Sequence, residues 1–317
     1  MNIRKHIYRE INKRRLNEGI TEEGRPDLNY YAFDWDDNIA FMPTKIIVLT
    51  ENEDEIGLST EDFAEHRHQI GVEPFNYKGT TVVGYANNPF RNFRTEGDKR
   101  FIIDSMIASP GPSWNDFVEC INGGSIFAII TARGHNPETL KEAVLNYIIS
   151  NHLGINSKVL VENLKKYRGL QTQGMFETVR DLKYDDKELI MDYLDMCKFH
   201  PVSFGAGSAA SPEEEKNKAL QKFIIYCKQQ ARDLVQDILN KNPNKKLEDI
   251  SPKFKNDVNM NEPTQDIEEF VSRNVSIGFS DDDPRNIQAS SEFLKKEYEK
   301  SPVNLYLTKG GTKTKYD

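Results

Sequence analysis

Cysteine is scarce: the 317 residues contain only Cys120, Cys197 and Cys227. An odd set with no Cys-x-x-Cys spacing argues against a disulfide scaffold and a cysteine zinc site, and suits a reduced, cytoplasmic protein. No apolar run approaches the roughly 18 residues of a membrane span. The N-terminus is basic but lacks the apolar stretch of a secretion signal. A positive balance is missing too. Asp and Glu number 50 against 42 Lys and Arg, a net charge of −8. The surface as a whole therefore does not suit general nucleic-acid binding, although a local basic patch is compatible with it.

What is present is a polar globular composition, 37% hydrophobic and 29% charged, with a mean hydropathy of −0.67. The length suggests about two domains, or one core with a large insertion. Three short apolar runs read as buried strands: Tyr30–Phe33, Ile126–Ile130 and Val275–Phe279. Continuous apolar strands suit a parallel sheet covered on both faces. Asn136-Pro137-Glu138 and Asp283-Pro284-Arg285 follow the second and third runs, each offering a cap and a proline at the first helical position. A longer helix is expected from Ser211, where Ser211 and Glu214 make a capping box around Pro212, down to about residue 240. Strand, polar turn and capped helix in succession predict an α/β fold.

Other tracts are less regular. Residues 1–26 form a basic segment, with Ile3, Ile7 and Ile11 at helical spacing among Arg and Lys. A solvated surface helix is the plain reading; docking to an anionic partner and a removable targeting segment are the functional ones. Residues 39–122 carry hairpin material, with strands expected at Lys45–Thr50 and Thr80–Tyr85 and a short helix at Ser59–Gln69. Residues 150–210 are mixed, with a helix expected near Lys187–Met196. Phe204-Gly205-Ala206-Gly207-Ser208 precedes a helix and could approach a phosphate, but no strand clearly feeds it.

The acids gather where a parallel sheet places its site, at the carboxyl ends of strands. Asp34-Trp35-Asp36 follows the first strand, Thr131-Ala132-Arg133-Gly134 the second and Asp281-Asp282-Asp283 the third. Lys216 lies early in the long capped helix. Taken alone, aspartates after strands also serve as turn formers and caps. Asp283 reads as a helix cap, Trp35 as packing, and Arg133 equally as a substrate contact or a turn cap.

In this order the segments resemble the four motifs of the HAD (haloacid dehalogenase-like) superfamily. Phe33-Asp34-Trp35-Asp36-Asp37-Asn38 is similar to the first, with Asn38 where the family usually has Thr or Val. Ile129–Gly134 resembles the second. Lys216-Asn217-Lys218-Ala219-Leu220 resembles the third, with Lys218 a competitor for Lys216. Gly278–Asp282 resembles the fourth, its register open by one residue across the triple acid.

The resemblance implies a Rossmann-like α/β core over residues 27–317, with cap or flap material at about 39–122 and a second possible insertion at about 150–210. It implies a Mg2+-dependent phosphomonoester hydrolase. Asp34 would be the nucleophile and Asp36 the general acid/base. Thr131, Lys216 and Arg133 would hold phosphoryl oxygens. Asp34, the backbone carbonyl of Asp36 and a carboxylate from Asp281 or Asp282 would ligate the metal. Asp36 itself favours a phosphatase or phosphotransferase, since related ATPases carry threonine there. A nucleotide, a nucleic-acid end and a small phosphorylated metabolite all stay open as substrates.

Leu16-Asn17-Glu18-Gly19 resembles the sites cut by prohead proteases of tailed bacteriophages, and the chain as a whole resembles a HAD hydrolase of that phage type. The implied setting is host cytoplasm or virion, with capsid association through the N-terminal segment as a possible partner contact. The rival expectation is a virion- or scaffold-associated interaction protein that keeps a HAD-like shell.

Overall fold

Strand β1 (Asn29–Phe33) lies inside the main sheet, and its alternating side chains divide the molecule. Tyr30 and Ala32 enter one hydrophobic cluster, Phe33 the other. Period-two alternation produces this directly, because successive strand side chains point to opposite faces. The computed structural model describes residues 28–165, 186–203, 211–250, 266–297, 303–309 and 311–316. The basic segment 1–26, Leu16–Gly19 within it and the glycine-rich run 204–208 lie outside the described residues.

Beyond β1 the chain forms β2 (Ala40–Phe41), then β3 (Ile46–Thr50), β4 (Glu55–Leu58), β5 (Phe75–Tyr77) and β6 (Thr80–Tyr85). The last four make an antiparallel sheet in the order β4-β3-β6-β5. It has its own small core of Val48, Leu58, Ile70, Phe75 and Val82. The helix Thr60–His66 in this unit begins with a capping box between Ser59 and Asp62. Strand β7 (Ser109–Pro110) returns to pair with β2 and closes the neck of the insertion.

The main sheet is completed by β8 (Phe127–Thr131), β9 (Lys198–Pro201), β10 (Ser276–Asp281), β11 (Val303–Lys309) and β12 (Thr312–Tyr316). Its order is β12-β11-β10-β1-β8-β9. All pairings are parallel except that of β11 with β12. Every residue of β8 is buried, as expected of a strand covered on both sides. One face packs on the helices Asp98–Ile107, Trp114–Gly123, Pro137–Ile149, Ser157–Asn163 and Asp186–Met196. The other packs on Pro212–Lys241, Ile267–Asn274 and Pro284–Glu297. The molecule is thus a mixed α/β protein on a mostly parallel six-stranded sheet. Among the described residues no helix is long and apolar enough to cross a membrane.

The tract 39–122, expected mostly as cap or flap, divides into two parts. Its first part makes the separate antiparallel sheet. Its second part rejoins the main core, because Phe101, Ala108, Trp114, Phe117, Cys120 and Ile121 bury against β1 and β8. The spacing Trp114, Phe117, Cys120, Ile121 is one face of a helix, and that face needs a partner. The described parts of 150–210 also belong to the core, through Ile155, Leu160, Val161, Leu164, Ile190, Tyr193 and Leu194.

The carboxyl edge of the sheet is tied together by Asn38, which is fully buried. Its Nδ2 donates to the carbonyl of Asp34 at 3.0 Å, and to the carbonyl and hydroxyl of Ser280 at 3.1 and 3.0 Å. Its Oδ1 accepts from the Thr308 hydroxyl at 3.1 Å. One side chain therefore links the ends of β1, β10 and β11. A threonine or valine, usual at this place in the resembled family, could not span all three. Replacing Asn38 by Ala strands buried carbonyls and a hydroxyl, each costing about 1–3 kcal/mol. We expect a lower thermal midpoint for Asn38→Ala in calorimetry, and a smaller loss for Asn38→Gln. Equal midpoints for wild type and Asn38→Ala would show that the clamp does not stabilise this edge.

Candidate active site

Asp34 directly follows β1, and its amide donates to the Ser280 carbonyl at 2.9 Å, carrying the parallel ladder one step past the strand. The chain then turns sharply. The Trp35 carbonyl accepts from the amides of Ile39 and Ala40, and Asp37 takes a left-handed φ of 53°. Trp35 is driven into the core, where it stacks on Tyr147 with ring centroids 5.9 Å apart. It packs the turn and offers no face to a ligand.

Lys216 sits one turn into the helix Pro212–Lys241, which opens with the Ser211/Glu214 capping box. Its side chain is buried, with Nζ 2.7 Å from Asp281 Oδ2 and 3.1 Å from Asp34 Oδ1. Lys218, about 200° around the helix at roughly 3.6 residues per turn, is exposed and pairs with Glu215 instead. Burial opposes charge on Lys216, but Asp281 and Asp34 together outweigh that and hold its pKa above the ordinary lysine value. It is a fixed cation.

Asp281 ends β10. Its Oδ1 accepts from the Asp283 amide at 3.0 Å and from Asn286 Nδ2 at 2.9 Å, while Oδ2 faces Lys216. Asp283 instead caps the following helix, accepting from the Arg285 amide, and pairs with the Arg285 guanidinium. The register of this segment is thereby fixed: Asp281 and Asp282 face the site and Asp283 serves the helix. Carboxylate oxygens of Asp34, Asp281 and Asp282 all lie within 4.8 Å of one another.

These acids are electrostatically crowded. Burial, opposed by Lys216 and reinforced by the charges of Asp281 and Asp36, pushes the Asp34 pKa up to about 7. Burial, then the charges of Asp281 and Asp34, pushes Asp282 up to about 9. With all three ionised, a single lysine leaves a net deficit of positive charge. Asp34 Oδ1 is buried, with the shared Lys216 ammonium 3.1 Å away. Three clustered carboxylates sharing one lysine form a set of hard oxygen donors that fits a divalent cation such as Mg2+.

Asp36 is turned away from this cluster. Both its oxygens accept from Arg133, from Nε at 2.7 Å and from Nη2 at 2.7 Å. Arg133 is itself buried, with Nη2 also donating to Thr44 Oγ1 at 3.1 Å. Its Cζ lies 4.5 Å and 4.9 Å from the ring centroids of Phe93 and Phe101. The guanidinium expected to hold phosphate is therefore spent on Asp36. Thr131, at the end of β8, is buried, with its carbonyl held by the Val202 amide. Gly134 in the same loop donates to the Phe93 carbonyl, and a Cβ there would meet the Ser203 carbonyl at 3.0 Å, so the close passage favours glycine.

The expected residues thus form two groups: Asp34, Lys216, Asp281 and Asp282 in one, Asp36 with Arg133 in the other, and Thr131 at the neighbouring strand end. Sequence reasoning missed Thr44, Asp98, His135 and Asn286. All but Asn286 belong to contacts between the insertion tract and the β8 loop, for which no local pattern exists. Asn286 could have been found one turn after the capping Asp283. Comparison with family models, with curated proteins and with solved structures found no match to this chain.

The crowding has a measurable sign. Asp34 and Asp282 have folded-state pKa values above the unfolded value of about 3.9. Their contribution to stability is therefore present below that value and lost as pH rises through about 7 and then about 9. In chelator, the thermal midpoint should fall over this range. Mg2+, which binds the ionised form, should restore it increasingly at higher pH. A midpoint indifferent to Mg2+ at alkaline pH would count against a cation site. Lys216→Ala, by leaving buried carboxylates unpaired, should cost about 3–5 kcal/mol where they are ionised, and Lys218→Ala little.

Proposed function

We propose that the chain is a Mg2+-dependent phosphomonoester hydrolase with a Rossmann-like core of the HAD type, acting through an aspartyl-phosphate at Asp34. The observation that carries this reading is Asp34 itself. It is buried beyond a central parallel strand, paired with a fixed cation at 3.1 Å and within 4.8 Å of two further carboxylates. Three acids and a lysine converging on a sheet's carboxyl edge are what phosphoryl transfer needs, because its barrier yields mainly to positioning and charge neutralisation.

Asp34, Asp281 or Asp282 and the Asp36 carbonyl would hold the cation, which when bound neutralises charge on the phosphoryl group. The Asp34 carboxylate attacks phosphorus in line, forming the Asp34–phosphorus bond as the ester oxygen leaves. Asp36 gives that oxygen a proton. It then takes a proton from the water that attacks the aspartyl-phosphate, releasing inorganic phosphate and restoring Asp34. Lys216 and the Thr131 hydroxyl steady phosphoryl oxygens. Arg133 acts one step back, as the group that orients Asp36. The antiparallel insertion would exclude water and select the substrate, for which a nucleotide, a nucleic-acid end and a small metabolite remain the classes to test.

The assay is hydrolysis of an aryl phosphate with and without Mg2+, followed by acid-quenched mass spectrometry. Asp34→Asn should be inactive and carry no phosphate. Asp36→Asn should release a burst of nitrophenol and then turn over slowly, because nitrophenolate leaves without a proton while dephosphorylation still needs a base. Phosphate on Asp34→Asn, or unchanged steady turnover by Asp36→Asn, would overturn these roles. Absence of any Mg2+-dependent turnover across phosphorylated metabolites and phosphorylated oligonucleotides would favour the rival interaction-protein reading.

A further inference from the structure

Behind Arg133 lies a second buried contact that the reaction scheme does not use. His135 is fully buried, with Nε2 3.1 Å from Arg133 Nη1 and Nδ1 2.8 Å from Asp98 Oδ1. A guanidinium has only donors, so His135 Nε2 must accept. The ring proton therefore resides on Nδ1 and is donated to Asp98. The tautomer is fixed by its neighbours, and the imidazole is neutral. Its ring packs on Phe101 at a centroid distance of 4.5 Å, and Phe101 also flanks the guanidinium.

The result is a continuous chain from Asp98 through His135 and Arg133 to Asp36. Asp98 begins the helix Asp98–Ile107, where the insertion tract re-enters the core. The β8 loop carrying Arg133 and His135 is pinned to the same tract by the Gly134 amide on the Phe93 carbonyl at 2.7 Å. Without His135, one edge of the guanidinium would have a buried N–H with no acceptor, and besides Asp36 only Thr44 would hydrogen-bond it among the described residues, leaving the Phe93 and Phe101 rings to restrain its rotation.

We propose that His135 and Asp98 are positioning residues, which set the rotation of the Arg133 fork and through it the place of the Asp36 carboxylate. This rests on the phosphohydrolase reading for its kinetic consequence but not for its geometry. The coupling makes the insertion's attachment point part of the machinery that orients the general acid/base.

Two measurements on the full-length chain test it. In the wild type, 15N chemical shifts of the imidazole should report a protonated Nδ1 and a bare Nε2. The Arg133 Nε–H should give a slowly exchanging resonance. That resonance should broaden or shift in His135→Phe and in the milder, part-exposed Asp98→Ala, and persist in His135→Gln, whose carbonyl can still accept from Arg133. In aryl phosphate hydrolysis, His135→Phe and Asp98→Ala should lose kcat by on the order of tenfold to a hundredfold, as misplacement near 1 Å can. KM should change little, and a nitrophenol burst like that of Asp36→Asn should appear. His135→Gln should recover part of the loss. A purely structural role would not give this split or this rescue. A protonated Nε2, an undisturbed Arg133 resonance in both variants, or wild-type kcat in both, overturns the proposal. If the wild type itself shows no turnover, the phosphohydrolase reading fails, and the NMR results alone still decide the relay.

Discussion

The burial of Lys216 between Asp34 and Asp281 is the constraint on which the rest of the arrangement depends. Two carboxylates at the ends of adjacent parallel strands repel each other in a low-dielectric setting. Their strands pair in register from Asn29 with Ser276 to Phe33 with Ser280, so Asp34 and Asp281 necessarily come level. A cation entering such an edge offsets that repulsion. Lys216 enters from the helix Pro212–Lys241, whose apolar face of Leu220, Phe223, Ile224 and Cys227 already packs on the sheet. The same packing that stabilises the fold thus delivers the charge. Burying an ion pair seldom gains stability by itself, because desolvation offsets the Coulomb attraction. Here a third carboxylate, Asp282, shares the same lysine.

A second charge pair solves a different problem. Arg133 and Asp36 meet through both carboxylate oxygens, with two aromatic rings against the guanidinium. A fork of this kind fixes orientation as well as charge. Its supporting groups, Thr44, Asp98 and the Phe93 carbonyl, all come from the tract between β2 and the main core. The strand-end cluster is built by the sheet, whereas the Asp36 clamp is an arginine of the β8 loop braced by the insertion tract.

That division explains what could be read in the sequence. The three central strands and the capped helices were legible because their signals are local: continuous apolar runs, Asn136-Pro137, and Ser211-Pro212 with Glu214. The phase of the long helix likewise separates Lys216 from Lys218. The helices Asp98–Ile107 and Trp114–Gly123 sit inside a tract of hairpin character, and nothing local marks where the insertion ends. Strands β11 and β12 carry the polar, alternating pattern of a sheet margin, NLYLTK and TKTKY, rather than the buried runs that identify the centre. The partner of Arg133 was illegible for a plainer reason. A guanidinium beside a strand end can face a ligand or a neighbouring carboxylate, and it is the tight turn after Asp34, which no local pattern announces, that brings Asp36 round to it.

That turn is also why two aspartates, two positions apart, are placed so differently. If β1 continued through Asp36, both side chains would share one face of the strand. Both carboxylates would then crowd the same cluster, adding a fourth acid to a site already short of positive charge. The fold-back at Trp35, held by the amides of Ile39 and Ala40 and anchored by Trp35 stacking on Tyr147, breaks the alternation after Asp34. Asp34 stays in line with the sheet, where Lys216 and the strand-end acids surround it. Asp36 is carried toward the β8 loop, where Arg133 meets it. Separation of the two environments follows from one tight turn, and Asn38, bonded to the carbonyl of Asp34 and to Ser280 and Thr308, is the residue that keeps that turn seated on the sheet.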